Sequence, residues 1–148
     1  MKKVLIVSPG GLPIPAVKGG AVETLIEYLI NENELESNFI FTVVSCENND
    51  ARIKSCNYNN TNFIYIRINA IFNNITKKIC RGLNRIFNVN IPLNLIYYHS
   101  IFNQIKEHQY DFILVENLSD FVCFLVNRKI RSRIVLHRSE EHTSELQS

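Results

Sequence analysis

A short apolar strand that runs into a glycine- and proline-rich loop and then into a helix is the feature that most restricts the fold of this chain. Residues 3–8 contain the uninterrupted apolar run Val4-Leu5-Ile6-Val7, which is typical of a strand buried on both faces of a parallel sheet. The next loop holds four of the five glycines and three of the four prolines, and residues 21–33 then show helical periodicity. This order favours an α/β fold.

Alternating strands and helices continue to residue 137. Runs of β-branched and aromatic residues predict strands, and apolar residues spaced by three and four predict helices. The predicted strands are 3–8, 39–46, 63–68, 111–116 and 133–137, and the predicted helices are 21–33, 71–87, 92–109 and 120–128. The Asn-rich segment between the second and third strands is predicted to be a loop. Right-handed crossovers would then give a Rossmann-like, three-layer α/β fold with a parallel sheet.

The first predicted helix has one apolar face, which we expect to be buried. Acidic residues are expected to lie elsewhere on its surface. The apolar face carries Val22, Leu25, Ile26, Leu29 and Ile30, and the acidic residues are Glu23, Glu27 and Glu32.

Length and composition are those of one soluble globular domain, with 148 residues, 46% of them hydrophobic and 20% charged. The last residues, 138–148, resemble the in-frame translation of a sequencing-library adapter, and the alternative is a natural polar tail. Without them the formal charge is +4, from 15 basic and 11 acidic residues, instead of +2. We therefore predict one domain over residues 1–137 and a non-native tail over residues 138–148.

Several classes of protein are disfavoured by the composition. The four cysteines are widely spaced without a CxxC motif, so we predict reduced thiols and neither a zinc site nor a redox pair. No apolar stretch approaches the roughly 20 residues that cross a bilayer, and the first apolar run is too short for a signal peptide. The small excess of positive charge and the absence of a recognised module argue against nucleic-acid binding. These features predict a cytoplasmic location.

The loop after the first strand is the first place to look for function, because ligands of such sheets bind at the carboxyl ends of the strands. Gly19 and Gly20 stand directly before the helix, whose free amides and dipole attract anions. Neither GxGxxG nor GxxxxGK[ST] is present. From the residues alone, the loop is either a cradle for a diphosphate or a long turn that caps the helix.

The opening of the chain resembles that of glycosyltransferase family 4 proteins, which have the GT-B fold. The resemblance rests on Val4-Leu5-Ile6-Val7-Ser8-Pro9, on residues 13–15 and on Lys18-Gly19-Gly20-Ala21-Val22-Glu23. Residues 42–45, 110–117 and 134–137 are similar to the second strand of the family, its acceptor-side strand and the strand before its His-containing loop. The resemblance covers residues 1–137 and implies the N-terminal, acceptor-side half of a GT-B fold, truncated before its second domain.

The resemblance also implies an activity. Such enzymes transfer a sugar from a nucleotide-sugar donor to a glycan or lipid-linked acceptor. For this chain the resemblance implies the hexosyltransferase type. They retain the configuration of the sugar and need no metal or other cofactor. Many bacterial members build cell-surface polysaccharides or lipopolysaccharides. Because half of the fold cannot close a cleft, we expect this chain alone to be inactive. A GT-B-like sugar-nucleotide epimerase and a non-catalytic binding module stay open as alternatives.

The resemblance implies that the double-glycine loop lies beside the diphosphate of the donor. Backbone amides of Gly19 and Gly20 would stabilise the charge that develops on the leaving diphosphate. Lys18 would add a positive charge there or simply be solvated. Glu23, in the first turn of the helix, is expected to interact with the helix N-terminus.

The other implied site residues follow two later strands. Glu116 and Asn117 are candidate acceptor contacts, and ordinary loop polarity is the alternative interpretation. His137 is the candidate catalytic residue, in contact with a sugar, because the family carries His-x-His or His-Asp in this loop. Ser139 stands where the second histidine of such a pair would be. The remaining pair, His99 and His108, is predicted to be on the surface or in packing positions.

Residues 71–88 combine helical apolar spacing with Lys77, Lys78, Arg81 and Arg85 and contain no acidic residue. Such a segment can lie on an anionic membrane at the inner face of the cell, where lipid-linked acceptors reside. The alternative is a packed helix with a solvated basic face.

Overall fold

The computed structural model describes residues 1–138, apart from the side chain of Ala70, as five strands and five helices. The strands are β1 (Lys2–Val7), β2 (Phe39–Cys46), β3 (Thr61–Ile66), β4 (Phe112–Glu116) and β5 (Arg133–His137). The helices are α1 (Ala21–Glu36), α2 (Asn49–Ser55), α3 (Ala70–Phe87), α4 (Leu95–Ile105) and α5 (Ser119–Asn127).

The strands form one parallel sheet in the order β3-β2-β1-β4-β5. The chain therefore builds outward from β1 through β2 to β3, returns, and adds β4 and β5 on the other side of β1. The order reverses between β1 and β4, which makes this the switch point where ligands of open α/β sheets bind. Because all strands are parallel, their carboxyl ends lie along one edge, the carboxyl edge.

Apolar residues of β1 alternate between the two faces of the sheet. Leu5 and Val7 belong to one core with buried residues of α4 and α5, whereas Ile6 belongs to a second core with Ile26 and Ile30 of α1. Helices thus cover both faces, and the predicted Rossmann-like, three-layer α/β fold is confirmed.

The predicted elements are found with shifted ends and one omission. The bounds of β2 and β5 are as predicted, whereas β3 begins two residues earlier and α4 is shorter at both ends than predicted. The predicted loop between β2 and β3 contains helix α2. This helix is only seven residues long and buries one side chain, Ala51, so it has little apolar periodicity. Its start is marked by Asn48, whose side chain accepts a hydrogen bond from the Ala51 N–H.

The predicted apolar face of α1 is partly wrong. Leu25 and Leu29 are exposed, whereas Glu23 and Asn33 are buried. Burial of Asn33 is possible because its amide exchanges two hydrogen bonds of 3.0 Å with the backbone N–H and C=O of Phe39, at the start of β2.

The remaining predictions concern cysteines, membranes and the tail. All four cysteines are free thiols. Among residues 1–138, no helix is long and apolar enough to cross a membrane. The predicted non-native tail lies outside the described residues, except for Arg138.

Candidate functional site

The middle of the loop after β1 lies over the carboxyl ends of β2 and β3. The Ile14 N–H donates to Oγ of Ser45, the penultimate residue of β2, at 2.7 Å. The Tyr65 hydroxyl, near the end of β3, lies 3.3 Å from the Ile14 carbonyl and 3.0 Å from the Ala51 carbonyl. The loop therefore crosses the carboxyl edge along a path fixed by these hydrogen bonds, and its residues Pro13, Ile14 and Pro15 are buried.

The start of the loop depends on a close contact between Gly10 and Tyr97. The Tyr97 hydroxyl donates to the Ser8 carbonyl at 3.1 Å, and a Cβ at position 10 would lie 2.6 Å from a ring carbon of Tyr97. Gly10 also has a φ of 77°, which favours glycine. Burial raises the pKa of Tyr97 well above its ordinary value, so the hydroxyl stays protonated and remains a donor.

The end of the loop carries the double glycine into α1. Gly19 and Gly20 have φ values of 74° and 102°. The Gly19 N–H donates to the Ala16 carbonyl at 3.2 Å, so this predicted diphosphate donor is engaged in a turn. No side chain caps α1 within the described chain. Because the first amides of a helix have no intrahelical partner, Ala21 and Val22 supply the N–H groups that point out of α1. Lys18 is exposed beside them.

Glu23 is buried at the N-terminus of α1 and faces Gly20. A Cβ on Gly20 would collide with the Glu23 carboxylate and would lie 2.7 Å from Leu12 Cδ1. The predicted interaction of this carboxylate with the helix N-terminus agrees with that position. Burial raises the pKa of the Cys46 thiol at the end of β2.

Glu27 holds the loop from the α1 side. Its Oε2 accepts a 2.7 Å hydrogen bond from the Ala16 N–H, and its Oε1 pairs with the Lys54 ammonium and accepts from the Tyr58 hydroxyl at 3.2 Å. Although burial acts in the opposite direction, hydrogen bonds from Lys54 and Ala16 and the Lys54 charge lower the pKa of Glu27. Burial, with the Glu27 charge, raises the pKa of Tyr58 to about 12.

On the other side of the switch point, β4 and β5 bring the remaining candidates together. Glu116 and His137 occupy paired positions at the strand ends, and Nδ1 of His137 lies 2.7 Å from Oε2 of Glu116. The Asn117 N–H donates to the His137 carbonyl at 2.9 Å. Glu116 is 4% exposed, whereas the His137 side chain is 47% exposed and Asn117 is exposed with a φ of 52°.

The structure places the buried Glu116 carboxylate in contact with His137. Its contact with an acceptor stays a prediction. The contact joins Nδ1 of His137 to Oε2 of Glu116, so Nε2 is the ring nitrogen outside this contact. His137 and Asn117 are the members of the group whose side chains are exposed. Ser139, which stands where a second histidine of the pair would be, lies outside the described residues.

The two halves of the candidate site flank the switch point. The loop lies over β1, β2 and β3, and the group of Glu116, Asn117 and His137 lies at the carboxyl ends of β4 and β5. A cavity of about 440 Å³ elsewhere in the described chain does not involve them. Residues before β4 and β5 line it, including Lys106, Tyr110 and Lys129, so it opens at the amino ends of those strands. The carboxyl edge is the better candidate for the functional site because the side chains of Glu116 and His137 meet there.

Sequence reasoning missed the residues that support the loop. Tyr97, Tyr65 and Ser45 come from three different elements, and nothing near them in the sequence signals a contact with the loop. Glu27 was assigned only to a face of α1. The other two histidines of the described residues are exposed and contact aromatic rings. His99 packs edge-on against Phe124, and His108 stacks on Tyr110.

In the described part of the chain, no group of three or more His, Cys, Asp or Glu side chains is arranged to hold a metal ion. Comparisons of the chain with protein-family models, with curated proteins and with solved structures found no match.

Proposed function

We propose that this chain is the acceptor-side Rossmann-like domain of a retaining, nucleotide-sugar-dependent glycosyltransferase. The observation that carries the proposal is the pairing of Glu116 with His137 on one side of the switch point, with a double-glycine loop that begins α1 on the other side. The resemblance of residues 1–137 to glycosyltransferase family 4 supplies the reaction class. A second Rossmann-like domain would bind most of the nucleotide and close the cleft.

The donor diphosphate would lie against the N-terminus of α1. Ala21 and Val22 supply the outward amides, Gly20 lets the ligand approach the backbone, and Lys18 adds a positive charge. Gly19 stays a predicted contact of the diphosphate, and its amide donates to the Ala16 carbonyl in this structure. Fixed dipoles at this position would stabilise the negative charge that develops as the sugar–phosphate bond breaks.

The sugar and the acceptor would lie on the His137 side. Glu116 would hold the imidazole through Nδ1, which leaves Nε2 outside this contact. His137 is then the residue that contacts a sugar hydroxyl, and Glu116 positions it. Asn117 lies on the exposed rim, where it can contact the acceptor glycan or lipid-linked sugar.

Transfer assays on the 148-residue chain and on its full-length parent test the proposal. We expect the parent to form product with retention and only when an acceptor is present, and the chain alone to form none. Transfer by the chain alone would overturn its assignment as an inactive half. A parent without a second Rossmann-like domain would favour a binding module. A changed sugar formed without acceptor would favour the epimerase alternative.

Charge-removing variants of the parent locate the diphosphate. Lys18→Gln should weaken inhibition by nucleoside diphosphate about two- to fivefold, as expected for one exposed ion pair. Lys3→Gln is the matched control because Lys3 is also exposed but lies in β1 near its amino end. Equal effects of the two variants would argue against a diphosphate at α1.

A further inference from the structure

Helix α3 contacts the domain through its polar side. Its buried residue is Cys80, and Asn73, Thr76 and Asn84, spaced from it by seven, four and four residues, are half-buried on the same side. The Asn84 amide exchanges two hydrogen bonds with the backbone of Ile91, at 2.8 and 3.0 Å. These bonds join the last turns of α3 to the segment that directly follows the helix.

Next to this side, α3 carries an apolar stripe that is exposed in the described chain. Its members, which are between 37% and 74% exposed, are Ile71, Phe72, Ile75, Ile79, Leu83, Ile86 and Phe87. An amphipathic helix of a globular domain normally buries such a face. Because a contiguous apolar surface of this kind marks an interaction site, the stripe indicates a partner.

Basic residues border the apolar stripe. Lys78, Arg81 and Arg85 are exposed and form one row along α3, with Lys77 beside it, and none has an ion pair within residues 1–138. The surrounding sequence is also positively charged, because residues 51–106 contain eight Lys and Arg and no Asp or Glu. The partner should therefore combine an apolar interior with a negatively charged surface.

We propose that α3 lies flat on an anionic lipid bilayer, with the apolar stripe among the acyl chains and the basic row at the headgroup phosphates. An 18-residue helix is about 27 Å long and presents its stripe along this whole length, as an interfacial helix does. A second copy of the chain fits less well. Two stripes in contact would gather the four cations of each α3 and no acidic residue of either helix. The proposal does not depend on glycosyl transfer.

Co-sedimentation of the full 148-residue chain with vesicles tests the proposal. Vesicles that contain phosphatidylglycerol should bind the chain, and pure phosphatidylcholine vesicles should bind it far less. Each basic residue near an anionic surface raises partitioning about fivefold, so Arg81→Gln with Arg85→Gln should lower it about 25-fold at low salt. The matched control is Lys106→Gln with Arg131→Gln, two exposed cations outside α3.

An apolar substitution tests the stripe itself. Ile79→Glu should lower partitioning roughly tenfold or more, because it removes an inserted side chain and adds a repelled charge. Ile53→Glu is the control, since Ile53 is 73% exposed on α2 and Ile79 is 56% exposed on α3. Both variants should keep the unfolding midpoint of the unsubstituted 148-residue chain, because neither side chain is in a core.

A single tryptophan reports insertion directly, because the sequence contains none. Phe72→Trp should show a blue-shifted emission and quenching by brominated lipid on anionic vesicles, whereas Tyr28→Trp on α1 should show neither. Failure to bind anionic vesicles, or binding that Ile79→Glu leaves unchanged, would overturn the proposal. Self-association that Ile79→Glu abolishes, without vesicle binding, would identify a second copy as the partner and also overturn it.

Discussion

Glu116 and His137 close neighbouring parallel strands at paired positions, and their side chains meet through a 2.7 Å contact between Oε2 and Nδ1. The carboxylate is buried and the imidazole is half exposed. A buried acid next to a histidine that reaches solvent is a positioning arrangement, because the acid fixes the ring and the ring faces outward.

Removing His137 should destabilise the domain. His137→Ala leaves the buried Glu116 carboxylate without its observed partner, and the expected loss is about 1–2 kcal/mol in the free energy of unfolding. Urea unfolding of the chain measures it. His108→Ala, at an exposed histidine away from the carboxyl edge, should change the value by less than about 0.5 kcal/mol.

A double-mutant cycle then separates the pair from its surroundings. If Glu116 and His137 interact as observed, the effects of Glu116→Gln and His137→Ala should not add, and the coupling energy should reach about 1 kcal/mol. Additive effects would show that the contact contributes nothing to folding, and the positioning role of Glu116 would lose its basis.

The position of this pair could be predicted only in part. Both residues were predicted to end strands, because each follows an apolar run that continues through the strand. That the two strands are neighbours, in a register that pairs position 116 with 137, depends on the sheet order β3-β2-β1-β4-β5. Local patterns carry no information on strand order, and the buried state of Glu116 depends on it.

A similar limit explains the errors in the helices. Periodicity located α1, but it could not show that Asn33 is buried, because the compensating partner is the backbone of Phe39. Helix α2 was missed because a short helix is held by tertiary contacts and by its Asn48 cap, not by an apolar stripe. The longer strands and helices were found because each buries a whole apolar face or run.

Gly10 should tolerate no side chain, for two independent reasons. Its φ is 77°, and a Cβ would lie 2.6 Å from the ring of the buried Tyr97. Gly10→Ala should therefore cost about 2 kcal/mol or more in the free energy of unfolding. Gly11→Ala is a closely matched control, because a Cβ there meets no atom within 4 Å and the φ of Gly11 is not positive. Equal effects of the two substitutions would contradict the close packing of Tyr97 under the loop.

The hydrogen bonds of Glu27 should make the stability of the loop depend on pH. Its pKa is lowered in the folded chain, so it contributes stability above the ordinary carboxyl pKa and loses that contribution as the pH falls through the lowered value. Glu27→Gln should cost about 1–2 kcal/mol near pH 7, because the pairing with Lys54 and the charge-assisted bond from the Ala16 N–H are lost. The difference from the unsubstituted chain should shrink below about pH 4.

Urea unfolding across this pH range measures that difference, and Glu32→Gln supplies the control. Glu32 lies on the same helix but is exposed, so its substitution should give a small difference at every pH. A constant gap between Glu27→Gln and the unsubstituted chain down to pH 3 would mean that the carboxylate charge is not what ties the loop to α1. The loop would then be held mainly by the contacts of Ile14 with Ser45 and Tyr65, on the side facing β2 and β3.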